Sequence, residues 1–106
     1  MIVITTETIP GKRIVRALGV VRGNTVRARH IGKDIVAVFK NIIGGEIEEY
    51  TKLLAESRDQ AIDRMIANGV ELGADAIVNI RFSTSYIMAN AAEIMVFGTA
   101  VKLEDA

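Results

Sequence analysis

His30 is the only imidazole in the chain, and no cysteine stands anywhere to help it. That excludes thiol catalysis, iron–sulfur clusters, zinc ribbons and disulfides. Soft heavy metals favour thiolate and thioether sulfur. The thioethers are Met1, Met65, Met88 and Met95. Met65 falls on an apolar helical stripe and Met95 on an apolar strand face, so both read as core filler. Glu46, Glu48 and Glu49 could hold a hard cation, but acids at a helix start answer the helix dipole. We therefore expect no resident metal and no cofactor. Enzymatic signals are equally thin. His30 has no nucleophile near it in sequence, although Glu93 or Asp75 could meet it in space. Ser83, Thr84 and Ser85 have the look of strand hydroxyls. The strings Gly44-Gly45-Glu46 and Gly73-Ala74-Asp75-Ala76 match no phosphate-loop spacing. The expectation is a protein without catalysis.

The formal net charge is zero, but the charges are sorted. Residues 1–40 hold eight Lys/Arg against Glu7 and Asp34, and residues 41–106 hold five Lys/Arg against eleven acids. The halves carry +6 and −6. Three readings follow, in order of preference: a solvated surface, complementarity between subunits, and a basic surface for anions or nucleic acid. Arg13, Arg16, Arg22, Arg27, Arg29, His30 and Lys33 form the basic stretch. The aromatics Phe39, Tyr50, Phe82, Tyr86 and Phe97 all lie outside it, so stacking platforms for single strands are missing and nucleic acid is disfavoured.

A length of 106 residues suits one domain, spanning 1–106, with no internal repeat or linker. No apolar run reaches the ~18–20 residues that span a bilayer. The start, through Glu7, lacks a basic leader. A cytoplasmic protein without a membrane segment is expected. Ile2 to Thr5 reads as a strand and Pro10-Gly11 as a turn. Ile14 to Arg27 reads as two strands joined near Gly23-Asn24, or as one long bent strand. Ile35, Val38, Phe39 and Ile42 predict a helix over 34–43, ended by Gly44-Gly45. A longer helix begins near Glu46, runs through Leu53, Leu54, Ala61, Met65 and Ile66, and closes at Asn68-Gly69 or Gly73. Ala76 to Ile87 and Ala92 to Leu103 are strands around a turn at Met88 to Ala91. The pattern is α+β, an antiparallel sheet with two helices on one face.

The last strand is apolar on both alternating faces: Met95, Phe97 and Val101 on one, Ile94, Val96 and Ala100 on the other. Such a strand must be covered twice. So short a chain has little left for the second cover, which points to another subunit. With a turn at Met88 to Ala91, Ile87 pairs with Ala92 and Arg81 falls opposite Gly98. Val78, Ile80 and Phe82 with Met95, Phe97 and Val101 then make the natural seat for the helices. Asn79, Arg81, Ser83 and Ser85 with Ile94, Val96, Gly98 and Ala100 look outward. Arg81 is the candidate ligand-binding residue, its stem lying across Gly98 toward a carboxylate of a neighbour or a bound anion.

Several strings together resemble one family: Gly44-Gly45-Glu46 with Tyr50, Leu53-Leu54, Arg58 with Ala61, Leu72-Gly73-Ala74-Asp75-Ala76, Arg81-Phe82, and Glu93 with Gly98-Thr99-Ala100-Val101. This is similar to the YbjQ family of small bacterial and archaeal proteins. Phe97 stands where that pattern has tyrosine, and Asn90 in a turn that is often glycine. The resemblance implies a dodecin-subunit-like fold assembling into a homopentameric ring. The family's usual label is "putative heavy-metal-binding", and its role is not established. The resulting expectation is a pentameric binding or scaffold protein whose partner is itself. The alternative is a ring that holds a metal ion or small anion between subunits.

Overall fold

Pro10 and Gly11 turn the chain after its first β-branched run, with Gly11 in the left-handed region at φ 79°. The computed structural model describes residues 1–28, 47–88 and 91–106. Among these residues strand β1 is Ile2–Val3, β2 Lys12–Ala28, β3 Ala76–Met88 and β4 Ala91–Asp105, and the helix α1 is Ile47–Glu71. The predicted helix over 34–43 lies outside the described residues. Gly23-Asn24 makes no turn, so β2 is the single long strand of the two alternatives. Its irregularities fall earlier, as register shifts between Ile14 and Arg16 and between Ala17 and Gly19.

The strand order is β1-β3-β4-β2. β4 pairs antiparallel with both β2 and β3, while β1 runs parallel to β3. The sheet is therefore mixed, which corrects the antiparallel expectation. Parallel neighbours need a long crossover, and β2 with α1 lies between β1 and β3 in the chain. The α+β class stands.

Helix α1 buries a stripe at four-residue spacing. Ser57, Ala61 and Met65 are fully buried, and Gly69 follows one turn later. The stripe packs on Val21, Ile77, Ile80, Val96 and Ala100. Each fully buried large apolar side chain there contributes about 1.5–3 kcal/mol. The small residues of the stripe let the helix backbone come close to β2. A Cβ on Gly23 would collide with the backbone of Ala61 and Met65. Thr25 Oγ1 adds a buried hydrogen bond to the Ser57 carbonyl at 3.2 Å. The helix closes at Gly73, at φ 77°, where the Gly73 and Ala74 amides donate back to the Val70 and Gly69 carbonyls.

The face assignment of β4 is the reverse of the sequence expectation. Ile94, Val96, Gly98 and Ala100 lie beneath α1, whereas Val101 packs with Ala76 and Val78 on the opposite side. Phe97 and Met95 share that opposite face by strand alternation. Ile4, Ile9 and Leu103 cover the Ala76–Val78–Val101 end of it. The far end, around Phe97, Met95, Val20 and Val26, has no cover among the described residues.

Candidate functional site

Arg81 keeps away from the helix, but by a different register from the one predicted. It pairs with Phe97 rather than Gly98, and Ala92 pairs with Tyr86 rather than Ile87. The cause is a shift between Tyr86 and Met88, where β3 spends one extra residue. A second bulge lies between Val78 and Arg81, with Asn79 at φ 56°. Gly98 makes room for this bulge and not for an arginine stem. A Cβ there would sit 2.9 Å from the Val78 carbonyl oxygen and 2.8 Å from Ile77 Cγ2.

The N-terminal arm fastens onto the same bulge. Ile4 N–H donates to the Ile77 carbonyl, Ile80 N–H to Ile4 and Asn79 N–H to Thr6, at 3.0, 3.2 and 2.9 Å. Arg81 Nη1 donates to the Thr5 carbonyl at 2.9 Å and to the Ile80 carbonyl at 2.8 Å. Among the described residues no carboxylate pairs with Arg81. The guanidinium therefore ties the arm to β3 while the side chain remains exposed.

Across the sheet, Arg22 of β2 is also paired with Phe97, so the aromatic ring stands between two arginines in one row. The next rows are Asn24, Met95 and Ser83, then Val26, Glu93 and Ser85. Asn24 Nδ2 donates to Glu93 Oε2 at 3.2 Å. Val20 and Val26 expose 72% and 52% of their surface, so that among the described residues this end of the sheet is an uncovered mixed face, with Val20, Val26, Met95 and Phe97 set among polar side chains and a basic centre. Phe82 and Tyr86, paired with Val96 and Ala92, are exposed on the helix side of β3. The arginine row escaped sequence reading because Arg22 and Arg81 are far apart in the chain and meet only through the register of β4.

Of the other candidates, His30 and Glu46 lie outside the described residues, and Glu48 and Glu49 fall in the first turn of α1. Met65 is core, while Met95 is half-buried on the uncovered face. Asp75 is a brace. Its Oδ2 accepts the Leu103 amide at 2.8 Å, and its Oδ1 meets Lys102 Nζ at 3.3 Å. The Leu103 amide, followed by Lys102, holds its carboxyl below the usual aspartate value. Among the described residues no group of three His, Cys, Asp or Glu side chains is placed to hold a metal ion.

Residues 1–104 match the YbjQ family, whose description reads "Putative heavy-metal-binding". The chain belongs to the YbjQ family. Its relatives include a UPF0145 protein of Archaeoglobus fulgidus, 58% identical over 103 residues, covering 97% of this chain and 95% of that protein. A UPF0145 protein of Psychromonas ingrahamii is 61% identical over 104 residues, covering 98% and 99%. Another, from Methanosarcina acetivorans, is 52% identical over 103 residues, covering 97% of each. Among solved structures, a DUF74-family protein of unknown function from Pediococcus pentosaceus superposes with a TM-score of 0.68 at 15% identity, covering 98% of both chains. At that identity the likeness is one of fold. Among the described residues no helix is long and apolar enough to cross a membrane.

Proposed function

We propose that this YbjQ-family chain is a self-assembling binding or scaffold protein, a homopentamer of the cytoplasm, with no catalytic step of its own. The sheet face left uncovered among the described residues carries this reading: Val20 stands exposed one row from Phe97 and Val26 two rows away on the other side, where a second layer would bury them. Burial returns about 25 cal/mol per Å² of apolar surface. Native mass spectrometry at micromolar concentration should give pentamers. Monomers alone would overturn the reading.

The family's description, which speaks of heavy metals alone, favours metal binding as a second reading, and we propose for it a ring whose metal or anion sites form between subunits. With no cysteine and one histidine per chain, a heavy-metal site would have to gather ligands from several copies. Arg81, on the uncovered face, would be the anion ligand. The leading reading predicts no stoichiometric zinc, copper or cadmium in the purified assembly. Elemental analysis finding about one metal per chain after dialysis against chelator would favour the second.

A further inference from the structure

Two sets of opposite charge occupy opposite sides of the subunit. On the sheet side are Arg22 and Arg81, flanking Phe97. On the helix side, Glu56, Asp59 and Asp63 follow one another at i, i+3 and i+7, exposed and turned away from the buried Ser57–Ala61–Met65 stripe. Among the described residues none of these five charges has an ion-pair partner. The only acid on the uncovered part of the sheet face, among the described residues, is Glu93, and Asn24 engages it. Of the helix bases, Arg58 and Arg64 lie to either side of the acidic stripe, with Arg64 donating to the Asn24 carbonyl, and Lys52 falls on the stripe.

Resting on the self-assembly reading, we infer that the acidic outer face of α1 in one copy docks on the Arg22–Phe97–Arg81 row of the next copy. The spacings agree. Arginines two strands apart stand about 10 Å from each other, and residues i and i+7 of a helix are separated by about 10 Å along its axis. Val20 and Val26 flank the row, and the exposed Val70 continues the helix stripe, so apolar surface accompanies the charges on both sides. The two surfaces lie on opposite faces of a two-layer subunit. The contact is therefore heterologous, front to back, and it makes a ring when the rotation between successive copies closes.

Arg22 is the cleaner probe, because its guanidinium makes no hydrogen bond or ion pair among the described residues and its backbone alone contacts Asn68. Arg22→Glu should weaken association at least tenfold by sedimentation at 0.1 M salt, and so should Asp59→Arg/Asp63→Arg. Combining Arg22→Glu and Arg81→Glu with Asp59→Arg and Asp63→Arg in one chain should restore most of the lost affinity, because the charges that face each other are then exchanged on both sides and not removed. Far-ultraviolet circular dichroism checks that each variant is folded. Should Arg22→Glu fail to fold, Arg22→Gln with a salt titration reads the same contact, through loss of the wild type's salt sensitivity. A wild-type oligomer that both variants leave intact, or variants weakened without rescue, would overturn this interface while leaving self-assembly standing. A monomeric wild type would overturn both.

Discussion

Replacing Gly23 by alanine tests the packing of α1 on the sheet through the sign of the stability change. Gly23 has no positive φ, and alanine inside a strand is ordinarily better than glycine by roughly 0.5–1 kcal/mol. Were α1 loosely seated, Gly23→Ala would stabilise the protein. The new Cβ would instead lie 2.5 Å from Met65 N and closer still to the Ala61 carbonyl oxygen. Carbon contacts are comfortable near ~3.5 Å, and a gap of 0.5–1 Å forfeits roughly a quarter to a half of a contact's attraction. The obstacles are helix backbone, which no rotamer moves aside. The helix must rise by about 1 Å, and the seats of Ala61 and Met65 against Val21 and Val96, all fully buried, open together. Overpacking of this kind costs about 1–3 kcal/mol, and occasionally more. We expect about 3 kcal/mol, a large share of the roughly 5–15 kcal/mol typical of a domain. The assay is urea unfolding followed by circular dichroism at one fixed protein concentration, since association also stabilises. Gly69→Ala is the companion. The atoms nearest to a Cβ there are side-chain carbons of Ile77 and Met1, at 3.0–3.4 Å, and alanine gains up to about 1 kcal/mol as a helix former. Gly69→Ala should therefore be near neutral. A Gly23→Ala protein as stable as wild type would refute the close approach of α1 to β2.

Asp75→Asn should make the protein less sensitive to acid. The folded carboxyl titrates below its unfolded value, so its contribution is present above the unfolded pKa and lost as pH falls through the lower folded one. The difference in stability between wild type and variant should therefore shrink between about pH 4 and more acid conditions, and a difference constant across that range would count against the brace. Arg81→Ala should release the N-terminal arm: amide exchange at Ile4, Asn79 and Ile80 should quicken, while global stability falls by no more than about 1.5 kcal/mol. Unchanged exchange would remove the latch. On the proposal above, the same variant also loosens the assembly, visible by sedimentation.

The long helix was legible because Leu54, Ala61 and Met65 keep helical spacing, and its end was narrowed to two glycine signals of which Gly73 proved to be the stop. The hairpin was legible from two strand runs around a short turn. Backbone propensity and period are local properties, and local sequence carries them. Which side of β4 receives the helix is not local. Ile94, Val96 and Ala100 are as apolar as Met95, Phe97 and Val101, so alternation gives two equally good faces. The choice is made where Gly23 and the small stripe of α1 let the helix sit on the first set. The register of Arg81 escaped for a similar reason. Each β3 bulge moves every later partner by one residue, and the N-terminal arm hydrogen-bonds around Asn79 at φ 56°. The parallel pairing of β1 likewise depends on the route taken by β2 and α1. Residue types thus determined the elements and the surplus of apolar surface. Long-range packing alone decided which face the described residues leave uncovered and which arginines came to stand on it.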